Sequence, residues 1–329
     1  MAAELRAGLI GLGSMGRHHA RVLRSLEGVR LVAVADPGGD TYGAAGPLEV
    51  GASVAHLIEA GVDYAVVAAP TSHHEEIGLA LAAAGVHAML EKPLAPTAES
   101  ATRLAKAFDD NGLIGAVGHI ERYNPALRSL RARLEEGELG EIYQVSTRRQ
   151  GPFPARIADV GVVKDLATHD IDLTAWVAKA PYLRVSAHTA LKSGREHEDL
   201  VAFIGALERG IVASHLVNWL SPFKERSTTV TGELGSFVAD TLTADLTFHA
   251  NGTRETTWES LVGFRGVTEG DVVRFALGKR EPLLSEHEAF RDAVLGVSSD
   301  IVSMAEGTTT VRVAEAVIES AQAGRTVEL

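Results

Sequence analysis

"LRAGLIGLGSMGRHHARVLRSLEGVRLVAVAD", residues 5–36, is the stretch that decides the fold. It opens on a short apolar run, carries glycines at 11, 13 and 16, and closes on a second apolar run that ends in Asp36. Between the runs, "RHHARVLRSL" sets Val22, Leu23 and Leu26 along one side of a helix. Strand, G-x-G-x-x-G, helix, strand and terminal acid in this order carry far more information than the glycine spacing alone. Gly11 permits a tight turn, Gly13 lets the backbone approach a pyrophosphate resting on the helix N-terminus, and Gly16 permits close packing. Ser14 and Met15 complete that loop. Asp36 can accept hydrogen bonds from an adenosine ribose and would repel a 2′-phosphate, so the segment predicts a site for NAD rather than NADP.

The alternation continues to residue 119. "VDYAVVAAP" (62–70) reads as a buried strand, "HEEIGLALAAAG" as a helix closed by Gly85, and "VHAMLEKP" as another strand. "TAESATRLAKAFDDNG" is a helix with Thr97 as N-cap and Glu99 in its first turn, and "LIGAVGH" a last strand. Strands alternating with helices imply a doubly wound parallel sheet, whose ligand lies beyond the carboxyl ends of the strands. Ala69, Pro70, Thr71 and His74 stand at one such end, and Glu91 and Lys92 at another. Between Asp36 and "LEVGAS", four glycines and two prolines replace the expected crossover helix. A shortened, mostly non-helical connection is expected there.

Near residue 120 the pattern changes. "RYNPALRSLRARLEEGELG" suggests a helix beginning after Pro125, and "EIYQVSTRRQ" a strand. A helix around 165–178 follows, then strands in close succession from "LRVSAHTALKS" to "TRETTWESL", then helical segments. The expected architecture is α/β: a Rossmann domain over 1–120 and an α+β domain over 121–329 with a large, open, mainly antiparallel sheet. Such a sheet must cover its outer face, so a homodimer or homotetramer packed through it is expected.

Composition sets outer limits. The 329 residues have a formal charge of -12, which argues against a nucleic-acid backbone or an anionic membrane as partner. No cysteine is present, which excludes disulfides, thiolate zinc sites and cysteine nucleophiles. No apolar run approaches the ~20 residues needed to span a bilayer. The glycine motif follows the N-terminus without room for a signal peptide, so a cytoplasmic protein is expected.

"DVGVVKDLATHDIDL" (159–173) gathers four aspartates and a histidine. As one continuous α-helix it would place Asp165, His169, Asp172 and Trp176 on a shared face. Three readings compete: a metal site, an acid/base site and a solvated helix face.

"GLGSMGRHHARVL", "EKPLA", "RYNPAL" and the D-x-x-x-H spacing at Asp165–His169 together resemble the glucose–fructose oxidoreductase / inositol dehydrogenase (Gfo/Idh/MocA) family over essentially the whole chain. Family members often carry glycine where this chain has Ala167. The resemblance implies that Lys92 lies near a nicotinamide and a substrate hydroxyl, with Asp165 and His169 across from it. Hydride transfer from an alcohol needs a base and a positioned cofactor and no metal. On this reading His169 is the acid/base, Asp165 orients it or holds a neighbouring hydroxyl, Lys92 polarises the reacting oxygen, and Glu91 reaches toward the nicotinamide ribose. The acid/base reading thereby gains over the metal and the solvated face, and no metal is expected.

Arg122, Tyr123, Asn124, Arg148 and Asp172 are candidate substrate contacts, with Arg149 and Arg156 as further basic residues. Arg148 and Arg149 alternate on a strand, so at most one faces a cleft. Tyr143 and Phe153 join Tyr123 as candidates for a flat uridine slot. His18 and His19 are structural or surface residues, and Trp176 is core rather than a sugar platform. Within the family, "GHIERYNPAL" and "DVGVVKDLATHDIDL" look most like the UDP-N-acetylglucosamine 3-dehydrogenase type, which implies oxidation at C3 of a UDP-N-acetylhexosamine. The alternatives are a ketoreductase or inositol-type dehydrogenase acting on another cyclic polyol and, from another class, a non-catalytic dinucleotide-binding regulator.

Overall fold

The computed structural model describes residues 4–153, 160–252 and 269–329. The chain forms two compact units, Met1–Ile120 with Glu281–Glu315, and Glu121–Arg280 with Ala316–Leu329. The break at 120 falls where the alternation ends. The expectation of a contiguous second domain over 121–329 is corrected: residues 281–315 pack with the first unit.

In the first unit six strands, β1 (Leu5–Ile10), β2 (Val29–Ala35), β3 (Val50–Gly51), β4 (Tyr64–Val67), β5 (His87–Glu91) and β6 (Gly115–Gly118), form one sheet in the order β3-β2-β1-β4-β5-β6. Every adjacent pair among them is parallel. This is the doubly wound arrangement, with its switch point between β1 and β4. The helices are α1 (Gly16–Ser25), α2 (Val54–Glu59), α3 (His74–Ala83) and α4 (Ala98–Asp110). The central strands are buried on both faces, which explains their unbroken apolar runs. In β4, Ala65 and Val67 join the core with Leu81, Leu90, Leu104 and Phe108, while Tyr64 and Val66 join Leu9, Leu23, Met89 and Phe290. Thr97 caps α4, its hydroxyl accepting from the Ser100 N–H at 3.2 Å. The connection after Asp36 is non-helical, as expected. The Asp40 carboxylate organises it by accepting from the N–H groups of Ala44 and Ala45, each at 2.7 Å. The helix Pro282–Val294 covers α1 and contributes Phe290, whose ring meets Tyr64 edge-on at 5.3 Å.

In the second unit Pro125 opens α5 (Pro125–Glu135) and Asn124 caps it, the Asn124 Oδ1 accepting from the Ala126 N–H at 3.0 Å. The nine-stranded sheet comprises β7 (Ile142–Pro152), β8 (Tyr182–Ala190), β9 (Leu200–Leu207), β10 (Val212–Asn218), β11 (Leu220–Gly232), β12 (Gly235–Asp240), β13 (Asp245–Asn251), β14 (Glu269–Phe275) and β15 (Val327–Glu328). Its order is β14-β13-β12-β11-β7-β10-β9-β8-β15. Only β7 and β10 pair in parallel; the others run antiparallel. "TRETTWESL" lies outside the described residues.

The helix expected around 165–178 is two structures. A π-helical turn over Val163–Ala167 precedes α6 (Thr168–Ala178). A π-turn has a wider repeat than an α-helix, so Asp165 stands in a different repeat from His169, Asp172 and Trp176, which lie together on α6. α6 packs on the β7 face that carries Arg149. The opposite face holds a cavity of about 360 Å³ lined in part by Ser146, Arg148, His188, Ile204 and Leu216.

Candidate active site

The glycine loop of the first unit has a distinct reason for each glycine. Gly11 has φ +90°, and a Cβ there would lie 2.5 Å from the Ala68 backbone. A Cβ on Gly16 would lie 1.9 Å from the Gly11 carbonyl oxygen, so the loop can close onto α1 only with glycine. Around Gly13 nothing lies within 4 Å of a built Cβ. That clearance, at the N-terminus of a ten-residue helix, suits a pyrophosphate. The Asp36 carboxylate accepts from the Leu12 N–H and the Gly38 N–H, both at 2.7 Å. Asp36 is thus tied to the loop, with lone pairs left to accept ribose hydroxyls. The cradle and the acid fit a dinucleotide. Ser14 and Met15 are half-buried on this loop, as are Ala69 and Thr71 beyond β4, whereas Pro70 is exposed.

His74, expected beside the cofactor, has both ring nitrogens on backbone carbonyls. It is fully buried, with Nε2 2.9 Å from the Ala69 carbonyl and Nδ1 3.1 and 3.2 Å from those of Pro93 and Leu94. Burial lowers its pKa, and the neighbouring carbonyls only partly oppose this. The ring joins the turns after β4 and β5 from within, which is a structural task.

Glu91 and Lys92 end β5. The Glu91 Oε1 accepts from His19 Nε2 at 2.9 Å and its Oε2 from the Lys92 N–H at 3.1 Å. Burial works to raise the Glu91 pKa, but the His19 hydrogen bond, the Lys92 ammonium and the Lys92 N–H together lower it, favouring the carboxylate. His19 is buried, the structural alternative of the two expected for it, while His18 is exposed. His287, which no sequence motif marks, sits with Nε2 2.8 Å from His19 Nδ1.

In the second unit Asp165 is buried in the π-turn, its N–H donating to the Gly161 carbonyl at 3.1 Å, and His169 is half-buried one turn on. Asp170 and Asp172 are paired with arginines, and Asp159 lies outside the described residues. Asp172 accepts from Arg122 through both oxygens, at 2.8 and 2.6 Å. Asp170 accepts from Arg149 Nε at 2.8 Å, and the same guanidinium reaches Glu121 at 2.7 Å. Burial pushes the Asp170 carboxyl up, with Arg149 only partly offsetting this. Arg149 itself is raised, because its two acids outweigh the burial that would lower it.

Several of the expected substrate contacts take part in pairings within the fold. Arg122 and Asp172 are buried and committed to each other. Asn124 caps α5 and donates through Nδ2 to the Thr241 carbonyl at 3.0 Å. Tyr123 is buried beneath the Arg128 guanidinium, 5.2 Å from its ring centroid. Arg148 lies on the sheet face away from α6, toward the cavity there. Arg156 lies outside the described residues. Trp176 is half-buried between the guanidinium groups of Arg122 and Arg131, at 5.8 and 5.2 Å. Among the described residues no group of three or more His, Asp or Glu side chains has metal-holding geometry.

Comparisons with known proteins agree with this arrangement. Residues 5–119 match the family model described as an oxidoreductase family NAD-binding Rossmann fold, and residues 127–238 match the GFO/IDH/MocA C-terminal domain. Inositol 2-dehydrogenase 2 of Saccharopolyspora erythraea is 30% identical, over 98% of this chain and 94% of its own. The UDP-N-acetylglucosamine 3-dehydrogenase of Acidithiobacillus ferrooxidans is 31% identical over 64% of this chain and 66% of its own. A solved structure of the latter protein superposes with a TM-score of 0.83, covering 97% of this chain and 98% of that one, at 24% identity. The protein is an NAD-binding oxidoreductase that belongs to the GFO/IDH/MocA family.

Proposed function

We propose that the protein is a cytoplasmic NAD-dependent dehydrogenase that oxidises a secondary ring hydroxyl of a free cyclic polyol or sugar. Bound NAD supplies the hydride acceptor. Lys92, at the end of β5, polarises the hydroxyl oxygen through its ammonium and lowers the hydroxyl pKa. His169 takes the released proton, since an imidazole titrates near neutrality. Asp165 orients that imidazole or holds a neighbouring hydroxyl. Asp36 favours NAD over NADP, because its carboxylate would repel a 2′-phosphate.

The observation that carries the choice of a free polyol is the commitment of Arg122 to Asp172 and of Arg149 to Asp170 and Glu121. A diphosphate needs cationic donors, and these guanidinium groups are already paired inside the fold. The inositol dehydrogenase relative matched along nearly the whole chain supports the same reading. A second reading, C3 of a UDP-N-acetylhexosamine, rests on the UDP-N-acetylglucosamine 3-dehydrogenase relative.

The test is NADH formation at 340 nm with myo-inositol, scyllo-inositol, free hexoses and UDP-N-acetylglucosamine, each with NAD and with NADP. A free polyol or hexose should reduce NAD. Turnover of UDP-N-acetylglucosamine alone would establish the second reading, and preferred reduction of NADP would overturn the role given to Asp36.

A further inference from the structure

The first unit also buries a set of titratable side chains, His19, Glu91, His287 and Glu286, that hydride transfer does not account for. His19 and His287 are essentially inaccessible, and both lie on helices, α1 and Pro282–Val294. Their rings meet edge-on at 5.1 Å. The helices are also joined at their exposed rim by the Arg21–Glu281 ion pair.

The chain of bonds has a definite polarity. A carboxylate only accepts, so His19 Nε2 carries the proton directed at Glu91. Burial keeps His287 neutral, with its pKa well below the ordinary imidazole value, so it has one N–H to place. On Nδ1 that N–H would be a buried donor, because among the described residues no partner lies there. On Nε2 it donates to His19 Nδ1, which leaves only a lone pair unmet, and an orphaned buried donor costs ~1–3 kcal/mol. The order is therefore His287 Nε2–H to His19 Nδ1, then His19 Nε2–H to Glu91. On the far side of Glu91, a Cβ on Gly118 would come within 3.3 Å of the Glu91 Cα, so the strand backbone closes against it. Glu286 lies behind, both oxygens buried without a hydrogen bond; burial and the Glu91 charge raise its pKa well above the usual range and keep it neutral.

We propose that His19 and His287 are positioning residues: together they hold the Glu91 carboxylate in one orientation, and through its bond to the Lys92 N–H they set the backbone from which the Lys92 ammonium acts. Neither ring touches substrate in this assignment. The inference rests on Lys92 having the role given to it above.

Glutamine and asparagine at position 19 discriminate the idea. A glutamine amide falls near the imidazole Nε2 and can still donate to Glu91, whereas an asparagine amide falls near Nδ1 and cannot. Small displacements of a catalytic group cost as much as ~100-fold, so His19→Asn and His19→Ala should lose roughly tenfold or more in kcat. His19→Gln should recover most of that loss, at matched thermal stability. Equal activity of the Gln and Asn variants, or a folded His19→Ala protein keeping more than about half of wild-type kcat, would overturn the proposal.

A readout independent of turnover separates this from the functional reading. Imidazole 15N spectra of the cofactor-free protein should show both rings carrying a proton at Nε2, and Glu91→Ala should shift the His19 Nε2 resonance. An unmoved resonance counts against the chain itself. A wild-type protein that turns over no polyol while this resonance moves as expected counts against the functional reading alone.

Discussion

His215 gives the sharpest quantitative prediction. It lies on β10 with Nδ1 2.7 Å from the Thr147 hydroxyl and Nε2 2.9 Å from the Tyr182 hydroxyl. Its ring stacks on Phe203 at 4.3 Å. Among the described residues no carboxylate is bonded to it, and burial drives its pKa down to about 3. The unfolded chain holds an ordinary imidazole, pKa about 6.5. Between these values the unfolded state binds one more proton than the native state, so stability rises with pH and is lost as pH falls below about 6.5. The slope approaches about 1.4 kcal/mol per pH unit, and the integrated loss at pH 5 relative to pH 7.5 is about 2 kcal/mol.

His215→Gln removes the titration while keeping groups that can bond Thr147 and Tyr182. The variant should be less stable near neutrality by about 1–2 kcal/mol, as a buried polar replacement usually is. Its disadvantage should then shrink as the solution is acidified. Urea unfolding at pH 7.5, 6 and 5 measures this, followed by tryptophan fluorescence, since Trp176 and Trp219 lie in the same unit as His215. Taking the difference between the two proteins cancels the other titrating groups they share. By pH 5 the gap should have closed by about 2 kcal/mol. A gap constant to within about 0.5 kcal/mol across the range would refute the assignment of His215 as a neutral core residue.

Gly16→Ala should abolish NADH binding, because its Cβ would meet the Gly11 carbonyl oxygen at 1.9 Å with only backbone to give way; fluorescence titration showing an unchanged Kd would contradict this. Lys92→Ala and His169→Ala should each lose roughly 10²–10⁴-fold in turnover with NAD affinity nearly intact, and Asp165→Asn should be milder if Asp165 only orients. Steady-state kinetics of either alanine variant above about a tenth of wild type removes that residue from the set. Ile204 and Val212 are 58% and 45% exposed on the sheet face away from α6, so we expect a homo-oligomer packed through that face. Ile204→Glu should then lower the mass measured by light scattering after size exclusion, and an unchanged mass would place the interface elsewhere.

The first unit was legible because each device in it is local. Glycines 11, 13 and 16 and Asp36 lie within a single β–α–β segment, and the turn chemistry that spaces them is written in consecutive residues. The cap at Thr97 and the non-helical connection after Asp36 are local as well. The domain boundary at the far end was not legible. Nothing in "PLLSEHEAFRDAVLG" states which core its apolar face will join, and that face joins Tyr64, Val66 and Met89 through Phe290. His287 was hidden for the same reason: its partner His19 is 268 positions away, and no spacing rule reaches that far.

The aspartate-rich stretch shows the limit most clearly. A helical wheel treats Asp165, His169 and Asp172 as one chemical group, because it assumes a constant 3.6-residue repeat and knows nothing of what lies opposite. The structure breaks the repeat with the π-turn at Val163–Ala167 and sets arginines from two other elements against the helix. An aspartate buried without a cation would protonate or destabilise the fold, so Asp170 and Asp172 can stand in the interior only because Arg149 and Arg122 meet them. Removing one partner should therefore be far more damaging than removing both. Arg122→Met alone leaves the Asp172 carboxylate buried and should cost about 3–5 kcal/mol, whereas Arg122→Met with Asp172→Leu should recover most of that loss.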